Sequence, residues 1–114
     1  MTLVEVTNIT EDIAKGLNIN NGDRLFGCYL DNKIVGYAVI RNNLEERVYL
    51  VILDEFQNQG NGSSAFKELL SMINDTVKCS VSIDNYKMQR IIIKNKGIEV
   101  GRDVENIHYV IEKK

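Results

Sequence analysis

Apolar positions along this chain fall into runs of different periods, and each period predicts an element. Tyr49, Leu50, Val51, Ile52 and Leu53 form an uninterrupted apolar run bounded by charge, as in a strand covered on both faces. Ala65, Phe66, Leu69, Leu70 and Ile73 recur at helical spacing. Cys79, Val81 and Ile83 instead alternate with Ser80, Ser82 and Asp84, the period of a strand with one buried face. A strand, a crossover helix and a second strand in succession predict that the two strands run parallel.

The flanking segments read in the same way. Residues 3–9 alternate as a first strand, and Thr10 is placed to cap a short helix that ends by Leu17 and buries Ile13, Ala14 and Leu17. Gly16, Asn18, Asn20, Asn21, Gly22 and Asp23 then prevent its extension. Residues 24–30 and 33–41 are strand-like runs joined at Asp31-Asn32, which predicts a hairpin, and residues 42–46 are a polar turn. Further on, Asp84 or Asn85 caps a last helix, Met88, Ile91, Ile92 and Asn95 share one of its faces, and Gly97 stops it. Residues 98–102 and 107–111 read as a closing hairpin around residues 103–106. The expected order is β-α-β-β-β-α-β-α-β-β, a single α+β (mixed α/β) domain over residues 1–114, without repeats or linkers.

Chemistry concentrates between the central strand and its helix. Gln57, Asn58, Gln59, Gly60, Asn61 and Gly62 lead into Ser63 and Ser64. The first turn of a helix carries backbone N–H groups without intrahelical partners and the positive end of the macrodipole, so it attracts phosphate. Glycines there admit a ligand close to the main chain and allow positive φ. An isolated GxG is also compatible with a turn that only reverses the chain.

Here the flanks extend the match. Q-N-Q-G-N-G resembles the Q/R-x-x-G-x-G/A signature of the GNAT superfamily of acyl-CoA-dependent N-acyltransferases. Ile52-Leu53-Asp54-Glu55-Phe56-Gln57 is similar to the family's V-x-P-E-Y-Q/R entry to that loop, with Asp54 in place of proline. Cys79-Ser80-Val81-Ser82-Ile83-Asp84-Asn85 resembles its next strand, and Lys96-Gly97-Ile98 its K-x-G-F. The resemblance spans residues 24–111. It implies a mixed central sheet of six to seven strands flanked by helices, in which the central strand and the next one splay apart around the pantetheine arm of acetyl-CoA, the cosubstrate. Leu50, Val51 and Ile52 would then offer backbone groups to pantetheine and the acetyl carbonyl. Gln57 and the N–H groups of Asn58, Gln59, Gly60, Asn61, Gly62 and Ser63 would hold the pyrophosphate, and Asn85 the coenzyme arm. The family usually covers the acceptor with two N-terminal helices, whereas this chain has room for one.

Composition narrows the partners. The 114 residues contain two cysteines, Cys28 and Cys79, without C-x-x-C spacing, and one histidine, His108. A metal site is therefore not expected, and both thiols read as small buried hydrophobes. A net charge of −2 with interspersed signs leaves no basic stripe for nucleic acid. The sequence shows no signal-like N-terminus and no apolar run of membrane-spanning length, so a cytoplasmic protein is expected.

Acyl transfer also needs groups that deprotonate the amine and protonate the leaving thiolate. The family's tyrosine, seven residues after the capping Asn, would fall on Ile92, so no acid is found there. Tyr86, Tyr49 and Glu46 are the candidates, with Glu45 and Asp54 as further bases, while His108 has no acidic partner in motif spacing and reads as structural. The expected function is N-acetyl transfer from acetyl-CoA to a primary amine of a small molecule or peptide. The alternative is a non-catalytic acyl-CoA-binding or protein-interaction module of the same fold. Homodimers are frequent in the family, and the alternating run at residues 107–111, guarded by Glu112, Lys113 and Lys114, offers a strand edge for one.

Overall fold

The computed structural model describes residues 1–113; Lys114, one of the three expected edge guards, lies outside them. Elements follow in the expected order. They are β1 (Thr2–Val6), α1 (Glu11–Gly16), β2 (Arg24–Leu30), β3 (Lys33–Ile40), β4 (Val48–Ile52), α2 (Asn61–Ser71), β5 (Val77–Ser82), α3 (Tyr86–Lys94), β6 (Ile98–Arg102) and β7 (Asn106–Ile111). A short 3-10 turn at Asp54–Phe56 lies between β4 and α2. Asp31 and Asn32 both take positive φ and close the β2–β3 hairpin. Thr10 caps α1 by accepting from the Ile13 N–H at 3.3 Å.

Two corrections concern the sheet. β1-β2-β3-β4 form one sheet and β5-β7-β6 another, and every ladder among the described residues is antiparallel. The parallel pairing of β4 with β5 is not made. The two strands are tied only at their entrances, where the Arg47 N–H donates to the Lys78 carbonyl at 2.8 Å. The second correction is that β7 is the middle strand of its sheet, so residues 107–111 are not an edge; β6 is. β7 pairs with β5 on one side and β6 on the other, which uses both rows of its backbone groups.

The core fills the space between the inner faces of both sheets and the helices α2 and α3. α2 contributes Ala65, Phe66, Leu69 and Leu70, α3 contributes Ile92, and β5 and β7 contribute Val77, Cys79, Val81, Ile107, Tyr109 and Ile111. Burial of one such leucine or phenylalanine contributes roughly 1.5–3 kcal/mol. Gly97 ends α3, but the left-handed residue is Lys96, at φ 70°. The Gly97 N–H reaches the Ile92 carbonyl at 2.9 Å and the Lys96 N–H the Ile93 carbonyl at 3.0 Å, the two bonds of a Schellman cap. Glycine is required at 97 for another reason: a Cβ there would collide with Ile92.

Candidate functional site

β4 is the edge of its sheet, and its register decides which backbone groups stay free. Bonds from Arg41 N–H to the Arg47 carbonyl and from Leu53 N–H to the Val35 carbonyl bracket the β3–β4 ladder. By antiparallel alternation, Tyr49 and Val51 bond to β3, while the N–H and C=O groups of Leu50 and Ile52 point into the gap towards β5. Val51 is therefore the member of the expected trio whose backbone is already used.

Beyond Ile52 the loop is held by its own side chains. The Gln57 amide donates to the Ile52 carbonyl at 3.0 Å and to the Asp54 carboxylate at 3.3 Å. Buried Asn61 donates to the Phe56 carbonyl at 2.9 Å. Asn58 and Gly60 take positive φ, 62° and 81°, and turn the chain into α2. No side chain caps this helix at Gly60. The first α2 donor with a partner is Ser64 N–H, 3.1 Å from the Gly60 carbonyl. The N–H groups of Asn58, Gln59, Gly60, Asn61, Gly62 and Ser63 have no acceptor among the described residues. Gly62 also faces α3 closely, since a Cβ there would stand 3.2 Å from the Ile91 side chain. An uncapped, glycine-lined helix start of this kind presents the donors and dipole that attract anions. Gln57, by contrast, points back into the loop and acts on it as a brace.

Asn85 caps α3, its side-chain oxygen accepting from the Met88 N–H at 3.2 Å. Its amide nitrogen has no partner among the described residues. Ile92 is fully buried in the core, so the position of the family's tyrosine holds no acid. Tyr86, on the first turn of α3, is 64 % exposed. Tyr49 lies on the opposite sheet face, with the Arg41 guanidinium 5.3 Å from its ring centre.

Two cavities adjoin the turn that precedes β4. One of ≈ 370 Å³ is lined by Glu45, Glu46, Lys78, Ser80, His108 and Val100 among others. The second, of ≈ 390 Å³, lies under the turns after α1 and is lined by Asn18, Asn20, Asp23, Arg41 and Glu46 among others. Glu46 borders both, whereas Glu45 is paired with Lys78 at 3.4 Å. The glycine loop borders neither. Within the first cavity, Ser80 Oγ lies 2.7 Å from His108 Nδ1, and His108 Nε2 lies 3.0 Å from an Asp103 oxygen. The acidic partner that sequence spacing did not reveal is thus present, brought back by the β6–β7 turn. Two alternations, one on β5 and one on β7, place Ser80 and His108 on the same face; only the β5–β7 register, Ser80 opposite His108, brings them together.

Both thiols are inert by burial, which pushes Cys28 and Cys79 up to about 11. Among the described residues, no three His, Cys, Asp or Glu side chains are grouped to hold a metal ion, and no helix is long and apolar enough to cross a membrane.

No protein-family model matches the sequence, and no curated protein does. Among solved structures, the chain is similar to the N-acetyltransferase PseH of Campylobacter jejuni in complex with acetyl coenzyme A, with TM-score 0.76, 14 % identity and 99 % of each chain covered. It is also similar to a GNAT family acetyltransferase from Elizabethkingia anophelis with acetyl-CoA bound, with TM-score 0.73, 12 % identity and 97 % of each chain covered. Mutant forms of the spermidine/spermine N-acetyltransferase SpeG from Vibrio cholerae match with TM-score 0.69 and 15 % identity, over 90 % of this chain and 72 % of that one. The chain has the fold of the GNAT acetyltransferases.

Proposed function

We propose that the protein is a GNAT N-acetyltransferase that moves acetyl from acetyl-CoA to a primary amine of a small molecule or peptide. The observation that carries this reading is the row of unpartnered N–H groups from Asn58 to Ser63 at the uncapped start of α2. The pyrophosphate of the coenzyme docks on that row, where hydrogen bonds to an anion are about twice as strong as neutral ones. The pantetheine arm runs up the gap between β4 and β5 and pairs with the free backbone groups of Leu50 and with the Ile52 N–H, the Ile52 carbonyl being held by Gln57. The Asn85 amide meets the same arm from α3. Two proteins of this fold, PseH and the Elizabethkingia enzyme, hold acetyl-CoA in their solved structures.

The acceptor amine approaches from the opposite face, where Glu46 offers a carboxylate to a cationic group. Its nitrogen attacks the thioester carbonyl carbon, and the C–S bond breaks with its electron pair leaving on sulfur. A coenzyme thiol resembles a cysteine, with a pKa of about 8.5, so the thiolate departs near neutral pH without a dedicated acid. With Ile92 in the tyrosine's place, the gain of about 10²- to 10⁴-fold from general acid catalysis is absent, and turnover is slow.

That same burial of Ile92 favours a second reading, a module that binds acyl-CoA or a partner without turnover. Two measurements separate them. Stabilisation by acetyl-CoA together with amine-dependent thiol release establishes the enzyme. Stabilisation without release over a panel of primary amines establishes the acyl-CoA-binding module, and no stabilisation removes the enzyme and that module, leaving the partner-binding form.

A further inference from the structure

We propose that Ser80, His108 and Asp103 form the proton relay that deprotonates the acceptor amine, an inference that rests on the acetyl-transfer reading above. The three side chains come from β5, β7 and the turn between β6 and β7 and make one continuous chain, 2.7 Å from Ser80 Oγ to His108 Nδ1 and 3.0 Å from His108 Nε2 to Asp103 Oδ2. Ser80 and His108 line the ≈ 370 Å³ cavity on the open face, beside the strand that borders the gap.

The hydrogen-bond roles follow from Asp103. Its other oxygen accepts the N–H groups of Glu105 at 2.8 Å and Asn106 at 2.9 Å, which fixes the carboxylate in the turn. Those two bonds, then the one from His108, hold Asp103 below the usual carboxylate value, so it is ionised at neutral pH and can only accept. His108 must therefore present its proton on Nε2 and a lone pair on Nδ1. That lone pair takes the Ser80 hydroxyl proton, which leaves the Ser80 oxygen lone pairs facing the cavity. Charged groups lining the same cavity also include Lys78 on β5 and Glu45 and Glu46 before β4, whereas Arg102 and Glu99 bond to each other on the other face of β6, opposite Ile107 and Tyr109. The Lys78 and Arg102 cations are each paired with a carboxylate, at 3.4 and 2.7 Å.

An amine enters such a cavity as an ammonium ion. It gives one proton to Ser80 Oγ while the Ser80 proton moves to His108 Nδ1, and the imidazolium is stabilised by Asp103. The freed lone pair forms the C–N bond, the C–S pair leaves on sulfur, and the second nitrogen proton lost from the adduct converts thiolate to thiol. His108 then returns its proton to solvent. In this scheme Ser80 touches the substrate, His108 stores the proton, and Asp103 positions the ring.

The chain contains a single histidine, so its imidazole resonances need no assignment. Nitrogen NMR of the neutral wild-type ring should show the Nε2–H tautomer, and Asp103→Asn should mix the tautomers. Thiol release from acetyl-CoA is followed with n-butylamine and its diamine analogue across about pH 6 to 9, the range of imidazole and thiol titration. Ser80→Ala and His108→Gln should each lower kcat by about 10²-fold or more. The melting shift with acetyl-CoA should stay at its wild-type size in both. Loss of that shift in the wild type would count against the coenzyme reading itself. With the shift intact, the relay is overturned by wild-type kcat in both variants, by an Nδ1–H tautomer, by acetylation of Ser80 before amine is added, or by no turnover at all.

Discussion

At Gly60 the backbone sits at φ 81°, and no heavy atom lies within 4 Å of where a Cβ would stand. A side chain would therefore fit in space, but an L-residue in the left-handed region costs about 1–2 kcal/mol. Gly60→Asp should lower stability by about that amount and, because it adds negative charge beside the unpartnered N–H groups, abolish stabilisation by acetyl-CoA. A folded variant that still gains the wild-type melting shift would place the anion elsewhere. At Cys28 and Cys79, burial keeps the thiols protonated, with values of about 11. Neither should react with an aromatic disulfide reagent near pH 8 unless the chain is first unfolded. The glycines and thiols were legible in the sequence because their roles depend on local conformation and burial. The partners of His108 were not, since Ser80 lies 28 positions away and meets it only through the β5–β7 register.

Among elements, the link between the α1 segment and the first sheet rests on Asp23. Its carboxylate is 3 % exposed and accepts from the Asn20 N–H at 2.9 Å, the Asn42 N–H at 2.8 Å and the Arg41 guanidinium at 3.3 Å. Burial alone would raise its pKa, but the two N–H donors and Arg41 outweigh it, and the net shift is below the usual 3.8. A depressed folded pKa contributes stability above the unfolded value that is lost as pH falls through the folded one. Asp23→Asn should cost about 1.5–3 kcal/mol at neutral pH, and urea denaturation should show the difference from wild type shrinking below about pH 4. In α2, Leu69→Ala should cost about 2–5 kcal/mol by the same measurement, because Leu69 is fully buried in the common core. Element order followed from period and turn residues alone, down to Thr10, Asp31-Asn32 and Asn85. Asp23 escaped that reading because a turn-rich stretch of Asn, Gly and Asp looks alike whether or not one carboxylate is buried.

For the molecule as a whole, the split between β4 and β5 separates what sequence could and could not supply. Pattern fixes which residues make strands, but a strand's place in a sheet depends on partners distant in the chain. Residues 107–111 thus read as an edge and prove to be central. In the second sheet the edge away from the gap is β6, where Ile98 and Val100 are each 63 % exposed. If two copies pair there, sedimentation at tens of micromolar should show a species heavier than the 13.0 kDa monomer, and Val100→Lys should return it to monomer. A monomer at that concentration would remove the expected homodimer. The coenzyme site is open to a more direct trial, the melting temperature of the wild-type chain titrated with acetyl-CoA. Occupancy of the loop at about one hundred times Kd should add about 2.7 kcal/mol, a rise of several degrees, and Gly60→Asp should show none. An unchanged melting temperature at millimolar acetyl-CoA, or an equal rise in Gly60→Asp, would contradict coenzyme binding at the start of α2.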